Sequence, residues 1–292
     1  MFLNFEEFNN KKVVVRNETS LKCIHVNIRS CRQNWDISQV HIQYSKVPWD
    51  VIVFTETNIK DEETSLYNID DCDQIYVCRK NTRGGGILIF EKKKKFTNVS
   101  HEIKKLDINE IIDVKLERNE EMFNLVVMYR KPSSSRIQFL KDLKNLFVDI
   151  ENIHKEKKTN VIMMGDLNLN ILKHNIDKSE KYDVEKFENV LAYFGYSQQI
   201  ETETREELRQ NVITSSCIDL IFTKLCNTFC KGYVVKQKPA DHYYTILEVW
   251  TKDKEDCENK IITKHRVQLN AKQIIRQLQN INWDNLDNEK SK

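Results

Sequence analysis

Residues that punctuate regular structure are scarce in this chain. Its 292 residues include 3 prolines and 6 glycines, and half of the glycines stand together at Gly84, Gly85 and Gly86. No internal repeat is present, and no low-complexity tract beyond "EKKKK" at 91–95, which excludes a repeat array. An excess of charge is missing too. With 46 Lys and Arg against 44 Asp and Glu, the net charge is +2, so no global field draws the chain to nucleic acid. Any polyanion binding must come from a local patch. No apolar run approaches the ~20 residues of a membrane span. The first residues, "MFLNFEEFNN", lack the cationic region and apolar core of a signal peptide, and the expectation is an intracellular protein. Cysteine is present eight times but without paired Cys-x-x-Cys blocks. The spacing of Cys226 and Cys230 has no second ligand pair nearby, so the thiols are expected reduced and packed as small hydrophobes.

What is present is a globular composition, 40% hydrophobic and 31% charged, with many strand-like segments. In "LKCIHVNI", Ile24, Val26 and Ile28 share one face while Cys23, His25 and Asn27 share the other. "WDVIVFTET" contains the continuous apolar run Val51–Phe54, the mark of a strand covered on both sides. "GILIF", "EIIDVKLE", "FNLVVMY", "NVIMM", "CIDLIF" and "YTILEVW" follow. Helical periodicity is clear twice. Ile137, Leu140, Leu143, Phe147 and Ile150 form one stripe; Val184, Phe187, Val190, Leu191 and Phe194 form another, with Gly195 where a C-cap belongs. Strands in quantity with a few helices between them predict an α/β sandwich with outer helices. The division expected is an N-terminal extension over 1–19, a domain over 20–252, and a charged linker with a helical tail over 253–292, where Ile274, Leu278 and Ile281 recur at helical spacing.

Polar groups gather at the strand ends. "NVIMMGDLNLN" runs four apolar residues into Gly165, Asp166 and Asn168. Gly-Asp-x-Asn is good turn chemistry, and it is equally a rigid strand delivering a carboxylate and an amide to a site. Glu56 stands just past the Val51–Phe54 run, Asp219 lies inside an apolar strand, and Asp241 and His242 immediately precede another. A charge within an apolar strand costs several kcal/mol unless it is paired, and a histidine is the available partner for Asp219. A carboxylate that orients an imidazole, a hard oxygen ligand for Mg²⁺ and a second carboxylate to take a proton from water together make a phosphodiester hydrolase.

The order Asn27, Glu56 in "FTETN", "RGGGILIF", Tyr129 in "VVMYRKP", "GDLNLN", "IDLIF" and "ADHYY" resembles the endonuclease/exonuclease/phosphatase superfamily. Within it, "RGGG", "YRKP", "TETR" and "IDLIFT" are similar to the apurinic-endonuclease-like domain of non-LTR (LINE-class) retrotransposons, over about residues 20–250. That resemblance implies a four-layered α/β sandwich of two mainly antiparallel sheets with outer helices. It implies Mg²⁺, with Mn²⁺ as a substitute, held by Glu56 with Asn27 beside it and Asp241 in support. It implies Asp166 to orient or deprotonate water with Asn168 positioning it, Tyr129 on the phosphate, and Asp219 holding His242. Double-stranded DNA is the implied partner, with Arg130 and Arg205 as candidate minor-groove contacts and a nuclear location. The tail "HRVQLNAKQIIRQLQNINWD" looks like the segment that precedes a reverse transcriptase, although no reverse-transcriptase signature follows it.

The pattern departs from the family at Ala240, where a serine is usual; the missing hydroxyl removes one hydrogen bond, on the order of 1 kcal/mol. The rival readings are an abasic-site repair endonuclease, a phosphatase or phospholipase of the superfamily, and a domesticated DNA-binding derivative without catalysis.

Overall fold

The apolar runs become the centres of two stacked sheets. The computed structural model describes residues 2–11, 20–78, 84–105, 109–153, 158–172, 177–209, 212–226 and 228–251. The linker and tail expected over 253–292, with Ile274, Leu278 and Ile281, lie outside these residues, as do Cys257 and Arg83.

In chain order the elements are β1 (Phe2–Leu3), α1 (Phe5–Lys11), β2 (Leu21–Asn27), α2 (Cys31–Tyr44) and β3 (Val51–Thr55). A 3₁₀ segment (Asp61–Leu66) then leads into β4 (Cys72–Val77), β5 (Ile87–Lys92), β6 (Asn98–Lys105), β7 (Asn109–Arg118) and β8 (Glu121–Arg130). After α3 (Arg136–Ile153) come β9 (Thr159–Asp166), α4 (Lys178–Tyr193), β10 (Ser197–Gln198), β11 (Arg205–Arg209) and β12 (Val212–Ser216). The described chain closes with β13 (Asp219–Lys224), β14 (Thr228–Val235) and β15 (Tyr244–Thr251).

The first sheet has seven strands in the order β1-β14-β15-β2-β3-β5-β4, and the second has six in the order β10-β13-β9-β8-β7-β6. The pairs β1/β14, β2/β3 and β8/β9 are parallel and the other ladders antiparallel. Strand alternation sorts the first sheet's side chains. Cys23, Val51, Val53, Ile87 and Ile89 join the core shared with the second sheet, α3 and α4. Ile24, Val26, Ile52, Phe54, Leu88 and Phe90 join a second core with Trp35 of α2, Trp49, and Phe5 and Phe8 of α1. Helices thus cover both outer faces, which makes the expected four layers. No helix among the described residues is long and apolar enough to cross a membrane.

Three local outcomes differ from the sequence pattern. Ile137 is 74% exposed, and Phe139 is buried in its place. At about 100° per residue, Ile137 falls on the flank away from Leu143 and Phe147. The helix α2 shows no apolar stripe in the sequence because it buries Ser38 and His41 while Ile37, Val40 and Tyr44 stay exposed. Residues 2–11, expected as an extension, form β1 and α1: Leu3, Phe5 and Phe8 are buried and β1 pairs with β14.

The parallel pairs fix where function can sit. β2 and β3 end together at Asn27 and Thr55, and β8 and β9 end together at Tyr129 and Asp166. "EKKKK" lies at the other end, since Glu91 pairs with Val51 and not with Thr55. There Lys92, Lys93 and Lys95 face Asp71, Asp73 and Asp50 at 3.5, 3.6 and 3.3 Å.

Gly165 explains how β9 can turn its last residue into that end. Its φ is +146°, and a Cβ there would stand 1.8 Å from the Met128 carbonyl oxygen of the neighbouring parallel strand. Backbone cannot retreat as a flexible side chain does. Gly165→Ala is therefore expected to destabilise the fold by about 2 kcal/mol or more, read from the denaturant midpoint at unchanged slope.

Candidate functional site

Asp166, the last residue of β9, is fully buried and lies directly opposite Asp219, the first residue of β13. Each carboxylate has its own support. The Asn27 side-chain amide donates to Asp166 Oδ2 at 2.7 Å across the gap between the sheets, and the Asn168 backbone N–H donates to Oδ1 at 2.9 Å. Asp219 Oδ2 accepts from His242 Nδ1 at 2.8 Å and from the Thr204 hydroxyl at 2.7 Å. Thr204 in turn accepts the backbone N–H groups of Ile218 and Asp219. Asp166, Asp219 and His242 present ligand-type atoms all within 4.8 Å of one another.

Glu56 arrives from the other sheet, one residue past β3. It is half-buried, has φ +52°, and accepts the Tyr129 hydroxyl at 2.8 Å on Oε1. Arg29, Asn58 and Asn168 also have positive φ, at +54°, +54° and +46°. Left-handed backbone in non-glycine residues is uncommon; Lys46, Asp71, Lys94, Asn119 and Glu120 carry it in turns elsewhere, whereas around this cluster it sets the direction of polar side chains. Asp241 forms the rim. Its Oδ2 takes Arg29 Nη1 at 2.9 Å and Arg205 Nε at 2.8 Å, while its Oδ1 is buried, has no hydrogen-bond partner among the described residues and lies 3.9 Å from His242 Nε2.

The sequence candidates Asn27, Glu56, Tyr129, Asp166, Asn168, Asp219, Asp241 and His242 thus gather at one end of the sandwich, with Arg205 beside Asp241. Arg130 does not present itself to a ligand. It is 1% exposed, and its guanidinium donates to the carbonyls of Leu167, Asn168 and Ser134 at 3.0, 3.0 and 2.6 Å. The expected minor-groove contact is corrected: Arg130 braces the loop that carries Asn168, whose amide returns a 2.7 Å bond to the Arg130 carbonyl.

Two residues escaped the sequence reading. Thr204 sits in the quoted "TETR", but nothing local says that its hydroxyl will face Asp219. His25 lies two residues before Asn27 on the same strand face, and its ring nitrogens meet Thr245 and Thr55 hydroxyls at 3.2 and 3.1 Å. Burial lowers its pKa to about 4, against the pull of Asp219, so this imidazole is neutral.

His242 has the opposite fate. Burial works against its cation, but the Asp219 carboxylate, with help from Asp166 and Asp241, raises the pKa to about 9. Burial and the nearby Asp219 carboxylate push Asp166 up to about 7, with Glu56 adding to the effect. Burial also disfavours the Asp241 anion, yet His242, Arg205 and Arg29 outweigh it and hold that carboxyl below its usual range.

Carboxylates brought together in this way, with Asp166 held above its usual range, suit a divalent cation, and hard oxygen ligands suit Mg²⁺. Glu56 and Asn27 offer such oxygens. The Nδ1 atom of His242 is already turned to Asp219, so the Asp166–Asp219–His242 group reads first as an oriented imidazole.

The chain belongs to the endonuclease/exonuclease/phosphatase family, whose model matches residues 24–242, a family of phosphate-ester hydrolases. Solved structures agree on the fold. The endonuclease domain of TRAS1, a telomere-specific non-LTR retrotransposon, aligns at TM-score 0.59 and 13% identity, covering 80% of this chain and 100% of that one. An AP endonuclease from Leishmania major aligns at TM-score 0.64 and 11% identity, covering 82% and 91%. The human Nocturnin catalytic domain aligns at TM-score 0.60 and 14% identity, covering 82% and 97%. Comparison with curated protein sequences found no match.

The raised pKa of His242 has a definite sign. Its stabilising contribution is complete below 6.5, the ordinary value, and is lost as pH rises from there through about 9. In metal-free protein the His242 ring signals are expected to titrate near 9, and Asp219→Asn should move that titration to lower pH. A His242 that titrates at 6.5 in both proteins contradicts the couple.

Proposed function

We propose that this chain is a Mg²⁺-dependent endonuclease that nicks one strand of double-stranded DNA and leaves a 3′-hydroxyl, of the kind non-LTR retrotransposons encode. Mn²⁺ would serve in place of Mg²⁺. In this reading the chain works in the nucleus, beside a reverse transcriptase domain when it is part of a longer polyprotein. The observation that carries the reading is the buried Asp219–His242 pair set against Asp166 and Asn27 in a chain of this family.

Glu56 and Asn27 would hold the cation, with Asp241 close by. When bound, the cation neutralises charge on the phosphate and polarises its oxygens. Asp166 takes a proton from the attacking water. Burial and the neighbouring Asp219 hold its carboxyl above the usual carboxylate range in the metal-free site, which favours proton uptake, while Asn27 and the Asn168 N–H hold it in one orientation. Water's oxygen forms the new bond to phosphorus, the P–O3′ bond breaks, and the 3′-oxygen leaves as the hydroxyl, taking its proton from solvent water. His242, cationic through neutral pH, faces the charge that accumulates on the non-bridging oxygens, and Tyr129 adds its hydroxyl beside Glu56.

DNA is favoured over a small phosphate ester by the β11–β12 hairpin. Arg205 at its base bridges to His242, and Leu208, Val212 and Ile213 along it are 68%, 61% and 69% exposed. Apolar side chains held out beside a phosphate site are of the kind that wedge against base steps in a duplex groove. The neighbouring repair endonuclease keeps abasic DNA as the second reading.

The deciding experiment is nicking of supercoiled plasmid with and without Mg²⁺, run beside Glu56→Ala and an abasic duplex. Undamaged plasmid should be nicked only with the metal, and Glu56→Ala should lose activity by orders of magnitude while staying folded. Full activity in EDTA sinks the metal reading, and cleavage confined to the abasic duplex gives the case to repair.

A second expectation concerns Asp219 and His242. Groups that act as a unit are non-additive. Asp219→Asn, His242→Ala and the double variant should therefore lose similar amounts of kcat. A double loss equal to the product of the single losses shows two independent residues.

A further inference from the structure

Glu110 is a buried carboxylate that the reading above leaves unused. It stands on β7, 5% exposed, in direct register with Tyr129 on β8. Its Oε2 reaches across to the first sheet and accepts the Gly86 backbone N–H at 2.7 Å. Gly86 belongs to the triple-glycine run, in which Gly84, Gly85 and Gly86 have φ of +85°, +85° and +91°. That run hands two carbonyls back: Gly86 O accepts Thr57 N at 3.3 Å and Gly85 O accepts Asn58 N at 2.9 Å. Thr57 and Asn58 follow Glu56 directly, and Glu56 and Asn58 are both left-handed. The fit at Gly86 is close, since a Cβ there would stand 2.3 Å from Thr57 Oγ1.

We infer that Glu110 is a positioning residue for Glu56: it fixes the triple-glycine loop, which fixes the strained 56–58 backbone, while Tyr129, its cross-strand neighbour, fixes the Glu56 carboxylate. Backbone and side chain of the same residue are then held from two adjacent strands of the opposite sheet. A carboxylate accepting a backbone N–H at this distance is a charge-assisted bond, stronger than a neutral one. Its loss frees a segment whose φ values are unfavourable without support. The consequence for cation binding rests on the metal role proposed for Glu56; the bond and its effect on the loop do not.

Two measurements test this. Hydrogen exchange on metal-free protein reads the loop itself. Glu110→Ala should speed exchange at Gly86 and Asn58, and Glu110→Gln, whose amide oxygen can still accept, should leave both near the wild-type rate. Mn²⁺ titration then reads the site. Residues that orient a ligand's support typically shift affinity by 10–100-fold, so Glu110→Ala should weaken Mn²⁺ binding at least about tenfold and Glu110→Gln by roughly twofold or less. If Glu110→Ala does not fold, Glu110→Asp, too short to reach Gly86, takes its place with the same expectation. Unchanged exchange and unchanged Mn²⁺ binding in the shortened variant overturn the inference, as does a Gln variant as impaired as Ala. A wild-type protein that binds no Mn²⁺ instead overturns the metal reading and leaves the exchange test standing.

Discussion

Two carboxylates placed opposite each other on neighbouring strands, both fully buried, are the constraint around which this molecule is organised. Asp166 and Asp219 are cross-strand partners at zero exposure. Directly opposed side chains have Cβ atoms about 5 Å apart, and like charges there repel. In a buried site salt screens the repulsion much less than at the surface. The pair persists because its surroundings answer each charge differently. Asp219 receives a cation, His242, and a hydroxyl, Thr204. Asp166 receives an amide and a backbone N–H, which orient it without cancelling its charge. One carboxylate is thereby committed to a structural pair, and the other is left with a pKa displaced toward neutrality. Two identical side chains acquire two chemistries from their partners alone.

That asymmetry depends on the two sheets being fixed against each other. Asn27 and Glu56 leave the first sheet; Asp166 and Tyr129 leave the second. The bonds Asn27 to Asp166, Tyr129 to Glu56 and Gly86 to Glu110 all cross between sheets. None of them tolerates a shift of an ångström. The core between the sheets, with Val51, Val53, Ile87, Ile89, Val127 and Met164 among its members, is close-packed apolar surface and so resists sliding. Packing here sets the precision of polar contacts made a strand's length away.

Legibility in the sequence followed the same physics. Strands with unbroken apolar runs, such as Val51–Phe54 and Val161–Met164, were readable because both of their faces are buried, and the polar residues at their ends stood out by contrast. Asp219 was readable as a paired charge because nothing else in an apolar strand explains it. The edge strand β6 and the mixed strand β14 were not readable, since one carries His101, Glu102 and Lys104 and the other interrupts its pattern with Lys231 and Gly232. Arg130 misled because a cation next to a site residue looks like a ligand contact; only the fold shows the carbonyls that surround it. Thr204 and Glu110 were invisible for a related reason. Their partners are 15 and 24 residues away, and no local pattern records such a distance.

Two of the three parallel pairs, β2/β3 and β8/β9, explain how a mainly antiparallel architecture can build this site. An antiparallel hairpin returns the chain to the end it came from, whereas a parallel neighbour needs a crossover and brings a second strand end to the same place. Here β2–α2–β3 delivers Asn27 and Glu56 to one end of the first sheet, and β8–α3–β9 delivers Tyr129 and Asp166 to the same end of the second. The crossover helices are also the outer layers that bury each sheet's far face. The sequence that buries α2 and α3 is therefore the sequence that makes two strand ends coincide. Removing either helix would expose a core face and, in the same step, separate the groups that the site requires side by side.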